Sequence, residues 1–229
     1  MYLLITCEHG GNHIPSRWKS HFADAEQALN SHRGYDPGAL ELAKDIAKQF
    51  KAPLIASTTS RLLVELNRSL YHPKLFSAWT RMLSPQEKET ILREFYLPYR
   101  TQVEKVISTN LPVLHLSIHS FTPELEGEIR QTEIGLLYDP GRRREKQFAT
   151  AWKQALRKRV SSSIRVRANY PYLGKADGFT TFLRTKWKDF AYIGIELEIN
   201  QKIVHSSGQE WQEFKQIILQ SLHDLIVLN

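Results

Sequence analysis

Cysteine occurs once in the 229 residues, as Cys7, so neither an internal disulfide framework nor a cysteine-rich zinc module is available to this chain. Any metal it holds must rest on His, Asp, Glu or Asn side chains. Long apolar runs are missing as well, none approaching the roughly 18 residues that a membrane span needs. Met1 leads through Tyr2 directly into Leu3-Leu4-Ile5, with neither a basic n-region nor a small-residue cleavage site. The expectation is a cytoplasmic protein with no membrane partner. Repeats, linkers and low-complexity stretches are likewise lacking, so residues 1–229 read as one domain around one core.

Charge is not balanced: 31 Lys and Arg stand against 24 Asp and Glu, a formal +7. The excess concentrates between residues 142 and 159, where Arg142, Arg143, Arg144, Lys146, Lys153, Arg157, Lys158 and Arg159 face the single acid Glu145. Such a stretch can bind nucleic acid or another polyanion. With no accompanying aromatic stacking motif it reads first as a solvated helix face.

Strand-like and helical runs alternate along the chain, which predicts an α/β fold with a mixed, mostly parallel central sheet flanked by helices. Tyr2–Cys7 has the character of a buried strand and ends in Glu8-His9-Gly10-Gly11-Asn12-His13-Ile14-Pro15, where regular structure must stop. Residues 39–50 keep helical apolar spacing, and 53–57 and 62–66 are short strand candidates. Ser84-Pro85-Gln86-Glu87 is a capping box that starts a helix towards Tyr96, with a kink or break expected near Pro98. Residues 113–119 alternate, placing Val113, His115, Ser117 and His119 on one face. Further strands are expected at 134–138, 164–168 and 191–199, the last with Glu196 and Glu198 on one face. A basic helix follows Pro140-Gly141, a long loop spans 170–178, and an amphipathic helix occupies 209–228.

Ligands of open α/β sheets gather at the carboxyl ends of strands. Here those ends carry Glu8, His9, Asn12 and His13; Asn67 and Arg68, with Arg61 just before their strand; His119 and Ser120; and Glu196 and Glu198. Nitrogen ligands, an anion clamp and carboxylates are together the inventory of a zinc hydrolase. His115 and His119 share a strand face but lie about 13 Å apart along it, too far to bind one metal, and the strand end favours His119. An Arg beside an amide, as in Asn67-Arg68, suits carboxylate capture.

These blocks resemble the N-formylglutamate amidohydrolase family. The resemblance runs through Cys7-Glu8-His9-Gly10-Gly11-Asn12 with Pro15, Asp36-Pro37-Gly38-Ala39, Ser60 through Arg68, His119-Ser120-Phe121, and Ile195-Glu196-Leu197-Glu198-Ile199. It implies a zinc exopeptidase-like (phosphorylase/hydrolase-like) fold and cleavage of the formamide of N-formyl-glutamate to formate and glutamate. The order of parts also resembles that of zinc carboxypeptidases. By that similarity His9 and His119 are metal ligands, and Arg61, Asn67 and Arg68 hold the substrate's carboxylate. Glu198 is the base and proton shuttle, with Glu196 on the same face as its alternative. Asn12 stands where carboxypeptidases have a Glu ligand, so the third ligand is Asn12 or one of Asp36 and Glu8. Tyr172 or Tyr170 caps the site.

The expected cofactor is a divalent metal, Zn2+ first and Fe2+ next, since imidazole ligands suit several metals. The expected partner is a small N-acyl amino acid, nucleic acid being disfavoured and the oligomeric state unspecified. Two other classes compete: an anion or nucleic-acid binding module built on residues 142–167, and a metal-free thiol hydrolase using Cys7 and His9.

Overall fold

The structure is a computed structural model and describes residues 1–226. Its centre is a six-stranded sheet in the order β2-β1-β3-β8-β6-β7. The strands are β1 (Tyr2–Cys7), β2 (Leu54–Ala56), β3 (Val113–Phe121), β6 (Ile134–Leu137), β7 (Val166–Ala168) and β8 (Tyr192–Asn200). A separate two-residue hairpin is formed by β4 (Glu124–Leu125) and β5 (Glu128–Ile129). Within the six-stranded sheet neighbours pair in parallel except β6 with β8, which are antiparallel. The mixed, mostly parallel α/β sheet expected from the alternation of elements is therefore present.

All nine residues of β3 and all nine of β8 are buried, because both are interior strands covered on two faces. Their alternation sorts the two sides of the sheet. Leu114, Leu116, Ile118, Ile193, Ile195, Leu197 and Ile199 point into a core shared with α2 (Ala39–Phe50), α5 (Arg143–Arg157) and α8 (Gly208–Ile226). The opposite face carries Val113 and Tyr192 into a second core with α4 (Leu97–Thr109) and α6 (Phe179–Lys186). His115, Ser117, His119, Glu196 and Glu198 belong to that second face by strand period. The expected helix over 209–228 is observed as far as Ile226, and residues 227–228 lie outside the described residues.

Two expectations are corrected. Residues 62–66 form turns instead of a strand: Leu63 N–H donates to the Ser60 carbonyl and Arg68 N–H to the Glu65 carbonyl, while Glu65 N–H reaches Leu75. The run is apolar because it is buried, not because it joins the sheet. The helix capped by Ser84 does not break near Pro98 either. It passes from α3 (Pro85–Ile91) through a π-helical turn at Leu92–Tyr96 into α4. Pro98 has no N–H to give the carbonyl four residues back, and the wider turn, closed by Leu97 N–H to the Leu92 carbonyl, absorbs that loss. The short α1 (Glu26–Leu29) and α7 (Gln201–Val204) and the 3-10 segment Ser16–Phe22 complete the helices.

Candidate metal centre and active site

Three strands and two loops bring the site together at the carboxyl end of the sheet. β1 hands over to a loop that holds His9, and Asp36 N–H donates to the His9 carbonyl at 2.9 Å. The loop lies flat on residues 57–60, so that a Cβ on Gly11 would stand 2.6 Å from the Thr58 carbonyl oxygen. Gly38 adopts φ +76° at the start of α2, a left-handed turn natural to glycine. That turn brings Asp36 beneath His9, and a side chain there would strike Val204.

His9 and His119 converge on one oxygen. His9 Nδ1 lies 3.2 Å and His119 Nδ1 2.9 Å from Asp36 Oδ2, with the two rings 5.0 Å apart. All three residues are buried, and one candidate ligand atom from each falls within 4.8 Å of the others. The remaining nitrogen of each imidazole is held by another carboxylate. His9 Nε2 bonds Glu65 Oε1. His119 Nε2 lies 3.1 Å from Glu8 Oε2 and 2.9 Å from Ser117 Oγ. Glu8 is in turn fixed by Tyr99 Oη and Ser117 Oγ, which both donate to it. Outer carboxylates that orient metal-binding histidines are the usual supporting shell of such sites.

The donor set fits a divalent metal. Two imidazoles and a carboxylate of one centre face each other across a buried space, and the second carboxylate oxygen, Asp36 Oδ1, is occupied by Arg61 Nη1 at 2.9 Å. The protonation pattern shows what this space asks for. Burial would lower the His119 imidazole, but its bonds to Asp36 and Glu8 carry it well above its ordinary value. Burial would likewise raise Asp36 and Glu8, yet the facing His9 and Arg61, and His119 respectively, hold both below the usual carboxylate range. Positive charge is favoured at this point, as protons or as a metal ion that displaces them.

Glu198 faces the same space from β8. It is the register partner of His119, and its Oε2 is buried without a hydrogen-bond partner among the described residues. Burial, with the neighbouring charges of Asp36 and Glu196 adding to it against His119 and Arg61, pushes its pKa to about 8. Glu196 is differently placed: its Oε1 accepts from Thr180 Oγ1.

The residues expected to hold substrate are drawn into internal bonds. Arg61 donates Nε and Nη2 to Glu65 Oε2, at 2.8 and 2.6 Å, and with Asp36 forms a clamp beneath the histidines. Asn67 accepts from Phe179 N–H at 2.6 Å, and its own N–H supports Glu65 at 3.0 Å. Arg68 binds the Asp177 carbonyl. The Asn12 amide donates to Asn30 Oδ1 at 2.9 Å. Tyr172 stands over the cavity, its hydroxyl accepting from Arg130 Nη1 at 3.0 Å, and burial together with the Glu198 charge raises its pKa. The cavity measures about 620 Å³ and is floored by Asp36, Arg61, Glu65 and Ser120. His115 is removed from it, bonded to Thr6 Oγ1 and Tyr192 Oη at 2.8 and 2.7 Å.

Glu65 is the site residue that sequence reasoning left without a role. Its signal was a single acid inside the apolar run 62–66, four residues after Arg61. The thiol alternative finds no support: Cys7 is fully buried, burial and then the Glu8 charge push its thiol well above its ordinary value, and both His9 nitrogens face carboxylates. Part of the basic stretch is also structural, since Arg142 donates to the carbonyls of Trp187 and Tyr192 and Arg144 to that of Phe190.

The fold and site define a single α/β domain with a candidate His-Asp-His metal centre at the carboxyl ends of its strands. The chain belongs to the N-formylglutamate amidohydrolase family, whose model matches residues 1–204, and is thus grouped with hydrolases of amide bonds. Among solved structures, a gene product of Agrobacterium tumefaciens superposes with a TM-score of 0.78 at 24% identity, covering 97% of this chain and 91% of the other. An N-formylglutamate amidohydrolase from Ralstonia eutropha gives 0.69 at 15% identity, covering 95% and 91%. No functionally curated protein matches the sequence. No helix among the described residues is long and apolar enough to cross a membrane.

Proposed function

We propose that residues 1–229 form one metal-dependent amidohydrolase domain that cleaves the N-acyl amide of an acidic amino acid, N-formyl-L-glutamate in the first place, in the cytoplasm. The observation that carries this reading is the convergence of His9 and His119 on Asp36 Oδ2 with Glu198 Oε2 free beside them. His9, Asp36 and His119 would hold the metal, Zn2+ being the first candidate. Asp36 replaces Asn12 in this set because the Asn12 amide is bonded to Asn30. α8 is included in the domain because Trp211, Phe214 and Ile218 complete the core under the sheet.

A divalent ion held there would supply Lewis acidity for the acyl carbonyl and would lower the pKa of a water molecule, so that hydroxide is available as the nucleophile near neutral pH. The protein residues do the rest. Glu198 Oε2 takes a proton from the attacking water and returns it to the leaving nitrogen. Its burial suits both halves of that cycle, because a carboxylate whose pKa is raised well above the ordinary range is a stronger base when ionised and holds the proton until the leaving nitrogen takes it. Glu65 and Glu8 keep the imidazoles turned towards the centre, and Arg61 bridges Asp36 and Glu65, offsetting the repulsion between their charges. Elemental analysis of the purified protein beside His9→Ala and His119→Ala tests the centre. About one metal per chain, lost in both variants, is expected; a metal-free wild type after reconstitution with zinc or iron would overturn the reading.

A further inference from the structure

The substrate's negative charges need cations that are free to meet them, and the arginine at the floor of the cavity is not free. Arg61 already faces two carboxylates, Asp36 and Glu65, and Arg68 is bonded to a backbone carbonyl. The outer wall of the same cavity carries Arg33, Lys74 and Arg81. All three are exposed, and among the described residues none of their side chains is paired with an acid. Arg33 is held in place, its guanidinium 5.2 Å above the Trp79 ring, while Trp79 is fixed by its indole N–H to Asp24 at 2.8 Å. A guanidinium stacked on an aromatic face keeps its N–H edge available for an anion. One acid, Glu126 on the β4–β5 turn, shares the wall; three cations outweigh it. The positive field reaches His32, also on the wall, whose pKa is lowered by burial and then by Arg61, Arg130 and Arg33.

We infer that Arg33, Lys74 and Arg81 form the specificity wall that reads the second, side-chain carboxylate of a dianionic N-acyl amino acid, whereas Arg61 organises the metal centre. This rests on the amidohydrolase reading above and assigns the substrate's charge recognition to residues outside the motif blocks. Asp36 of the centre and this wall line one cavity of about 620 Å³, so an acidic side chain held near Asp36 extends towards the three cations. Charge-assisted contacts of this kind are strong enough to change affinity by about tenfold each.

The test compares N-formyl-L-glutamate with N-formyl-L-glutamine, which differ by one negative charge at nearly constant shape. In Arg33→Gln/Lys74→Gln/Arg81→Gln the ratio of kcat/KM between the two is expected to fall at least about tenfold, through KM for the glutamate substrate. Lys146→Gln, an exposed change on α5, should keep the wild-type ratio. A triple variant whose ratio stays within about twofold of wild type overturns the inference while leaving the amidohydrolase reading intact. Should the wild type cleave neither substrate, that reading fails by itself, and calorimetric titration with glutarate then decides the wall: binding weakened at least about tenfold in the triple variant supports it, whereas unchanged binding, or none by wild type, overturns it.

Discussion

His119 and Glu198 stand opposite each other in the parallel register of β3 and β8, so that one strand pair presents a candidate ligand and a candidate proton carrier to the same buried space. Because the two arise from neighbouring positions of rigid interior strands, their separation is set by backbone hydrogen bonds and not by loop conformation.

The division of labour across that pair is separable. Glu198→Gln should bind metal as wild type does and lose about 100-fold or more in kcat, the range expected for removal of a general base. Elemental analysis and steady-state kinetics on one preparation measure both; normal turnover would take Glu198 out of the mechanism.

Asp36 and Asn12 can be told apart in the same way. Asp36→Ala should lose the metal along with His9→Ala and His119→Ala, because both imidazoles turn on its Oδ2. Asn12→Ala should retain about one metal per chain, since it removes only a bond to Asn30. Metal loss in Asn12→Ala with retention in Asp36→Ala would restore the carboxypeptidase-like ligand order.

Glu65→Gln keeps the shape of the side chain but removes the charge that faces His9 Nε2 and Arg61. Metal affinity is expected to drop about 10- to 100-fold, the effect typical of lost outer carboxylates. Competition with a chromogenic chelator reads this directly, and an unchanged affinity would reduce Glu65 to a packing role.

Stability should decline with acid through His115. Burial lowers its pKa from 6.5 to about 4, so the folded protein holds this ring neutral while the unfolded chain takes up a proton as pH falls below 6.5. The contribution is complete above that pH and is lost progressively down to about 4. Between pH 7.5 and 5.5 this one group accounts for about 1.4 kcal/mol of lost stability. Urea unfolding of wild type and His115→Gln at the two pH values should show a pH-dependent loss smaller in the variant by about that amount; equal losses would show that His115 carries no such linkage.

Much of the frame was readable from local pattern. The apolar period of residues 39–50, the capping box at Ser84 and the alternation at 113–119 each recur as α2, α3 and β3, because in each the local preference and the tertiary environment agree. The site was readable as an inventory but not as a geometry. His9, His119 and Glu198 stand at strand ends, where position in the chain implies position in space. Asp36 and Glu65 reach the centre through turns, at Gly38 and within 62–66, whose path depends on packing against α2 and Leu75 and leaves no periodic trace. Their partner Arg61 has the same history: the sequence places an arginine near the site, and only the fold locates the two carboxylates, Asp36 and Glu65, that enclose it. Arg33 lies far in sequence from Lys74 and Arg81, and only the folded cavity shows the three on one wall.

Formate release from N-formyl-L-glutamate, followed before chelation, after removal of metal, and after zinc is returned, tests the central claim most directly. The account predicts release by the metal-loaded protein, loss with the chelator and recovery on reconstitution. Release that survives complete removal of metal, or its absence from protein carrying about one zinc per chain, would contradict it.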